Sequence, residues 1–364
     1  MAVRPSSVMA DALALVAPGR PLRQGLERVL LAKRGALIVI GDDAPVLSIC
    51  TGGFLIDAEY SPQRLTELAK LDGAIILSAD SGRIARANVH LMPDPSVPTS
   101  ETGTRHRTAE RVARSIDVPV ISVSAAMSVI TIYRGEHRHV LQAAGRLHDT
   151  VSQALQALQR FRQRFDLGVT ALSALELEDS VTFGDVAAVL QPGEILLRVA
   201  RDLEPVFIEL GEEGRLLQLQ LDELLYGVEP VRSHVVRDYL RPDTRQGDTG
   251  HCLGPAAAVE AMAQLSTEEL LDTRRLGAAL GLGPAHSEAD ASVEPRGYRL
   301  LYRLPRFPEA LVDRIVEHFA GLQKIMRASV RDLEEVDGVG ESRARSVKDG
   351  LSRLAEATIL DRYS

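Results

Sequence analysis

The sequence has little cysteine: Cys50 and Cys252 are the only two in 364 residues. That is too few for a zinc site of cysteine type or an iron–sulfur cluster. Two thiols so far apart are most simply unpaired. No apolar run approaches the ~20 residues that a membrane-spanning helix needs. The basic-then-apolar pattern of a secretory leader is missing as well, so the expectation is a cytoplasmic protein. Two phosphate-binding signatures are absent. No Gly-x-x-x-x-Gly-Lys-Ser/Thr occurs, which excludes a P-loop, and no Gly-x-Gly-x-x-Gly follows a strand pattern. Positive charge is not in excess either. The net charge is −8, so any contact with nucleic acid must be local.

What is present is a globular composition, 45% hydrophobic and 25% charged, at a length that suits two or three domains. Apolar spacing through Met9, Leu13 and Val16 reads as helix; Pro18-Gly19 breaks it, and a second helix follows from Leu22 to Lys33. Strands are expected at residues 36–40, 45–50, 73–78, 84–91, 119–123 and 129–133. Ser61-Pro62 opens a helix to Lys70, 93–103 reads as loop, and Thr104 is the expected N-cap of a helix over 105–116. Residues 1–145 are therefore predicted as an α/β domain, a mixed sheet flanked by helices.

After Gly145 the chain becomes rich in Leu, Glu and Gln, and 146–289 reads as an all-α spine. Within it, 147–165 is a long helical pattern. Phe183-Gly184-Asp185 and Gln191-Pro192-Gly193 read as element ends, and Leu216–Leu221 fits strand or helix. Residues 284–295 read as a linker into a last domain, 290–364, with a helix over about 309–326.

One stretch stands out by its charge. The first turn of a helix carries partial positive charge and favours Asp or Glu, yet Arg105, His106 and Arg107 occupy it. A bound anion would relieve this. Backbone N–H groups, helix dipole and Arg forks then converge on one ligand, and a polyphosphate suits them. A solvated basic turn, costing a few tenths to ~1 kcal/mol, is the alternative. Asp72-Gly73-Ala74 lies at a helix-to-strand junction. A carboxylate there can hold Mg²⁺ or take a proton, and the missing side chain lets backbone approach a nucleotide. Asp-Gly is equally a common way to turn a chain.

Asp72-Gly73-Ala74, Ala87-Asn88-Val89-His90-Leu91 and Gly103-Thr104-Arg105-His106-Arg107-Thr108-Ala109 resemble, in order and separation, the Asp-Gly-Ala and Arg-His-Arg motifs of the diadenylate cyclase family. The resemblance implies condensation of two ATP into cyclic di-AMP with release of two pyrophosphates. Two domains meet face to face for this, each presenting one ATP. It implies that Asp72 positions a metal, Mg²⁺ or Mn²⁺, and activates the 3′-hydroxyl. Gly73 and Ala74 contact the nucleotide and Leu91 lies against the adenine. Thr104, Arg105, His106, Arg107 and Thr108 grip the phosphates, with Arg105, His106 and Arg107 joining Asp72 as the catalytic set. The residue types agree, because attack on the α-phosphorus needs alignment and charge neutralisation more than covalent help.

Near the C-terminus, Val336-Asp337-Gly338-Val339-Gly340-Glu341-Ser342-Arg343 joins two apolar-periodic segments. From Arg296 onward there are 13 basic and 11 acidic residues, +2 against −10 for the remainder. The double glycine resembles a helix–hairpin–helix motif, whose backbone N–H groups bind DNA phosphate without reading sequence. Gly338, Gly340, Arg343, Arg345 and Lys348 are the candidate DNA contacts. An ordinary helix–turn–helix with a capping glycine is the alternative. Asp337 and Glu341 oppose phosphate, which several copies in an oligomer would offset.

The order of cyclase, spine and hairpin resembles, over essentially the whole chain, the DNA-scanning branch of the same family. That implies a homo-octamer with cyclase heads central, whose synthesis is suppressed by branched DNA such as Holliday junctions. A DNA-binding scaffold that senses ATP without turnover is the rival reading. A repair nuclease or glycosylase lacks support, since no clustered carboxylates stand out. His137, His139, His148, His234 and His251 show no metal spacing; His137-Arg138-His139 reads as a solvated strand face, and the aromatics of 302–307 as core.

Overall fold

Ala36–Ile40 (Ala-Leu-Ile-Val-Ile), buried at every position, is the central strand of the first of two compact units in the computed structural model. Described are residues 7–241, 254–304 and 307–362; His251, Cys252, Pro305 and Arg306 lie outside them. One unit comprises Met1–Gln153 with Asp202–Gln220, the other Ala154–Arg201 with Leu221–Ser364.

The first unit begins with helices α1 (Ser7–Leu15) and α2 (Pro21–Leu31), then β1 (Ala36–Ile40), α3 (Ala44–Ser48), β2 (Cys50–Thr51), β3 (Phe54–Glu59), α4 (Pro62–Leu68), β4 (Ala74–Leu77) and β5 (Arg83–Leu91). It continues with α5 (Thr104–Ile116), β6 (Val120–Ser124), β7 (Val129–Arg134) and β8 (His137–Val140). The strands form one mixed sheet in the order β2-β5-β4-β1-β6-β7-β8, with β3 also on β5. Only β1 and β4 run parallel; the other pairs are antiparallel. Because side chains alternate across a strand, Ile38 and Ile40 join the cluster under α1, α2 and α4, while Leu37 and Val39 join that under α5. A strand buried on both faces reads as a continuous apolar run, as β1 does.

Two expectations change here. Residues 45–48 lie in α3 rather than a strand, and of the expected span only Cys50 is in a strand, β2. Pro45 lies in the first turn of α3, where a missing N–H costs nothing. Residues 54–59, which carry no expected element, form β3. β2 and β3 are successive halves of one edge, divided at Gly52 and Gly53, whose φ values are +65° and +78°.

α6 (Ala144–Glu178), α7 (Phe183–Leu210), α8 (Arg215–Leu225) and α9 (Val228–Tyr239) follow. Gln191-Pro192-Gly193 does not end an element: it lies inside α7. Pro192 cannot donate to the Ala188 carbonyl, and a Cβ on Gly168 of α6 would lie 2.9 Å from that oxygen. A Cβ on Gly193 would come within 3.0 Å of the Phe165 ring. These residues let two helices approach closely, and the packing outweighs the ~3 kcal/mol an internal proline costs. Leu216–Leu221 resolves as helix within α8. His139 is not on a solvated face: its Nε2 lies 2.8 Å from buried Glu209, which also accepts the Gln142 N–H.

The second unit adds α10 (Pro255–Gln264), α11 (Thr267–Leu271), α12 (Thr273–Ala279), α13 (Tyr298–Tyr302), α14 (Glu309–Phe319), α15 (Leu322–Arg327), α16 (Val330–Glu334) and α17 (Glu341–Arg362). The expected single helix over 309–326 is two helices, since Ala320 caps α14 in the left-handed region at φ +58°. Residues 284–295 are no free linker. The N–H groups of Phe183 and Gly184 donate to Ala291 and Ala289, and Val293 donates to Val181. Among the described residues no helix is long and apolar enough to cross a membrane.

Asp238 organises this unit's interior. Its buried carboxylate accepts the N–H groups of Gly297, Tyr298 and Arg299 at 2.7, 2.6 and 2.8 Å, capping α13. Burial, with Glu176 nearby, pushes its pKa up to about 7 in spite of these donors and Arg299. A carboxyl raised in this way holds its proton in the folded chain after the unfolded chain has released it. Its contribution is fully present below the ordinary carboxyl range and lost as pH rises through about 7. Asp238→Asn, which removes the acceptor for Arg299, should cost about 1–3 kcal/mol. The melting-temperature gap to wild type should be wider at pH 5 than at pH 8; a gap that widens with pH would contradict the assignment.

Candidate nucleotide site

β4 and β5 approach each other unusually closely where β4 begins. A Cβ on Gly73 would lie 2.4 Å from the Asn88 carbonyl carbon and 2.7 Å from the Val89 nitrogen. Asn88 itself is left-handed, φ +55°, at a register slip between the strands. The bare glycine thus admits backbone, as expected, but the backbone is that of β5. The junction leaves Asp72 at the lip of an open cleft of about 480 Å³.

This cleft gathers residues far apart in sequence. Asp72, Gly73 and Ala74 come from the start of β4, Leu91 from the end of β5, and Thr104, Arg105 and Thr108 from the first turns of α5. Arg105 Nη2 donates to Asp72 Oδ1 at 2.9 Å. The Asp72 side chain is 95% exposed and that of Arg105 44%, so the pair contributes at most ~1 kcal/mol and is easily exchanged for a ligand. Thr104 is not the N-cap: Gly103 holds that position without a side-chain cap. Thr104 is the first helical residue, and its carbonyl accepts the Thr108 hydroxyl at 3.0 Å.

Two of the expected phosphate ligands lie elsewhere. His106 is 7% exposed, with Nδ1 2.8 Å from the Tyr133 hydroxyl. Burial lowers its pKa, with Arg138 acting the same way and Glu101 opposing, so the ring is neutral near pH 7. Arg107 is exposed and does not line the cleft. The loop over 93–103 is stitched to α5 through Glu110, which accepts from the Thr99 hydroxyl and the Ser100 N–H. Burial pushes Glu110 up, but those donors and Arg114 outweigh it and hold its pKa low.

One contributor carries no signal in the sequence. A Cβ on Gly35, just before β1, would stand 2.7 Å from Arg105 Nη1. Gly35 makes room for the guanidinium, and nothing in Lys33-Arg34-Gly35-Ala36 announces it. For a metal, no group of three or more His, Cys, Asp or Glu among the described residues could form a cage. Mg²⁺ commonly needs only one or two carboxylates, its other ligands being water and phosphate. Asp72, an exposed hard oxygen donor beside the cleft, fits that.

At the C-terminal hairpin, α16 is capped by Ser329 and the chain turns at Gly338, φ +84°. Gly338 and Gly340 are both exposed. The basic residues are partly engaged: Arg343 donates to the Gly338 carbonyl at 2.8 Å, Arg345 pairs with Glu341, and Lys348 donates to the Met326 carbonyl at 2.6 Å.

Comparison with known proteins matches residues 23–138 to the family model described as DisA bacterial checkpoint controller nucleotide-binding. Residues 141–289 match that of the DisA bacterial checkpoint controller linker region. The DNA integrity scanning protein DisA of Streptomyces coelicolor is 50% identical over 357 residues, 98% of this chain and 94% of that protein. That of Kineococcus radiotolerans is 50% identical over 359 residues, 99% and 98%. The Acidothermus cellulolyticus protein is 51% identical over 351 residues, 96% and 94%.

The glycines yield a paired prediction. Gly73→Ala forces backbone against backbone and should lower the melting temperature sharply or prevent folding. Gly35→Ala meets chiefly the end of the flexible Arg105 side chain, with the Val123 carbonyl oxygen at a milder 3.3 Å, so the chain should fold with little loss of stability while Arg105 is displaced. Removing a charge-assisted hydrogen bond worth about 1.5–3 kcal/mol should weaken nucleotide binding roughly 10- to 100-fold by calorimetry. Unchanged affinity would remove Arg105 from the site.

Proposed function

The chain belongs to the family of DNA integrity scanning proteins, DisA, and from that premise we propose that its cleft holds one ATP for cyclisation with a second. The protein is a diadenylate cyclase, joining two ATP into cyclic di-AMP with loss of two pyrophosphates. The observation that carries the site assignment is the Arg105–Asp72 contact, which unites the Asp-Gly-Ala and Arg-His-Arg motifs at one cleft. Thr104, Arg105 and Thr108 hold the triphosphate, the α5 start adding its dipole. Leu91 lies against the adenine, and Gly73 and Ala74 form the floor. Arg107, outside the cleft of its own chain, belongs to the phosphate grip only when two heads meet.

Asp72 takes the proton of a 3′-hydroxyl as that oxygen attacks an α-phosphorus. The bond from α-phosphorus to the bridging oxygen breaks, and pyrophosphate leaves with the electron pair. Arg105 stabilises the charge developing on that leaving group. Asp72 also holds Mg²⁺ or Mn²⁺, which supplies charge neutralisation on the phosphates when bound. Each chain offers one such cleft and the product has two new phosphodiester bonds, so two heads face each other. The assembly is a homo-octamer in the cytoplasm, where ATP and DNA are both at hand.

The α16–α17 hairpin binds DNA backbone without sequence preference, through N–H groups near Gly338 and Gly340 assisted by Arg343, Arg345 and Lys348. Branched DNA such as a Holliday junction, held at several hairpins at once, suppresses synthesis by changing how the heads meet. The domains serving these roles are 1–145, 146–289 and 290–364.

Three measurements test this. Mass spectrometry after incubation with ATP and Mg²⁺ should find cyclic di-AMP with wild type and none with the Arg105→Ala/Arg107→Ala variant. Bound but unconverted ATP would favour a sensing scaffold. Asp72→Asn should lower turnover by roughly 10²–10⁴, and near-normal turnover would take Asp72 out of the chemistry. A Cβ on Gly340 meets nothing within 4 Å in the free protein, so Gly340→Val leaves the fold intact yet puts bulk where a phosphate would approach. Junction affinity should fall about tenfold, the scale of a single charge-assisted hydrogen bond, and suppression by the junction should weaken with it. Full suppression by this variant would sink the hairpin's role.

A further inference from the structure

The body of α5 is seated on the sheet by Ala109, Val112 and Ala113, but its first turn lies ahead of these residues and needs a tie of its own. No side chain caps it, and the exposed Arg105–Asp72 pair is too weak to hold it. His106 is the one residue of that first turn that is buried. Its Nδ1 lies 2.8 Å from the hydroxyl of Tyr133, a β7 residue 1% exposed and packed in the cluster beneath α5. The Tyr133 hydroxyl in turn donates to Glu101 Oε1 at 2.9 Å, and Arg138 of β8 pairs with the same oxygen at 2.9 Å. The relay joins the helix start to two strands and to the loop before the helix.

Counting hydrogens assigns the tautomer. Tyr133 has one hydroxyl hydrogen and gives it to Glu101, so from His106 it must receive one. Nδ1 therefore carries the proton and Nε2 a bare lone pair, buried with no partner. A neutral ring whose only N–H is turned inward has nothing to donate to a phosphate. Its neighbours Thr104, Arg105 and Thr108 line the cleft. At ~100° per residue, a turn that slipped by ~20° would carry a guanidinium ~6 Å from the axis through ~2 Å. Misplacement of ~1 Å can cost about 100-fold.

We propose that Tyr133 is a positioning residue of the nucleotide site: through His106 its hydroxyl sets the rotation of the first turn of α5, and so the places of Thr104, Arg105 and Thr108. His106 is the link in this chain and not a phosphate ligand. The inference rests on the cyclase reading of the cleft.

The test uses the full-length chain and two readouts, kcat/KM for cyclic di-AMP formation and calorimetric ATP affinity. Asn places an amide N–H where Nδ1 stands, and Gln reaches where Nε2 stands. His106→Asn should keep both quantities within about threefold of wild type, while His106→Gln and Tyr133→Phe should each lose tenfold or more. Tyr133→Phe combined with His106→Asn should be no worse than Tyr133→Phe alone, since both act on one bond. An active Gln variant with an inactive Asn variant would make Nε2 the working atom and overturn the proposal. So would a Tyr133→Phe chain with wild-type values. Should wild type form no product, the cyclase reading fails, while ATP affinity across the same variants still decides the role of Tyr133.

Discussion

The backbone contact between Gly73 and Asn88 is the constraint on which the candidate site depends. Because no side chain separates them, β5 passes against the start of β4, Asn88 takes up its left-handed turn, and the ladder slips. That slip ends β5 at Leu91 on one wall of the cleft and leaves Asp72 projecting from its lip. The opposite wall is the start of α5, a helix whose later turns pack through Ala109, Val112 and Ala113 on the sheet face that Leu37 and Val39 share, and whose first turn meets the sheet through His106 and Tyr133. Asp72 and Arg105 meet because two independent packing problems, strand on strand and helix on sheet, have solutions that end at the same point.

Much of this was legible in the sequence for specific reasons. β1 and β4 are short apolar runs bounded by turns, and central strands leave that trace. Ser61-Pro62 announced α4 through its cap, and Ser61 does accept the Arg64 N–H. The misreadings have a common cause, that Pro and Gly report local backbone freedom and not the use made of it. Pro45 opens a helix, and Pro192 lies within one because Gly168 and Gly193 let its neighbours close in. Of the motif residues, Asp72, Gly73, Ala74, Leu91, Thr104, Arg105 and Thr108 line one cleft, and His106 and Arg107 do not. The motifs could not show that His106 faces inward, since a run of three polar residues on a helix start does not say which one the core receives. Gly35 and Tyr133 were invisible for the same reason: each matters through a contact distant in sequence.

The second unit uses its charges differently. Glu194 is fully buried and met by Arg198, Arg201 and Arg232, while Glu176 pairs with Arg299. Buried pairs of this kind contribute little net stability but penalise any rearrangement that would strand one partner. They favour a single packing of the helices. At the hairpin, by contrast, the exposed Arg345–Glu341 pair is screened and readily exchanged, which suits the phosphate contact proposed for it.

The contact between Gly35 and Arg105 also bears on how sequences of this kind can diverge. A chain that acquired any side chain at position 35 would have to shorten or redirect the residue at position 105, and one that lost the guanidinium would have room for a small side chain, limited by the Val123 carbonyl oxygen 3.3 Å away. The two positions, on separate elements and without any local pattern to link them, are therefore expected to change together or not at all. Under the proposed reading of the cleft, a lone substitution at either is expected to change how the nucleotide is held.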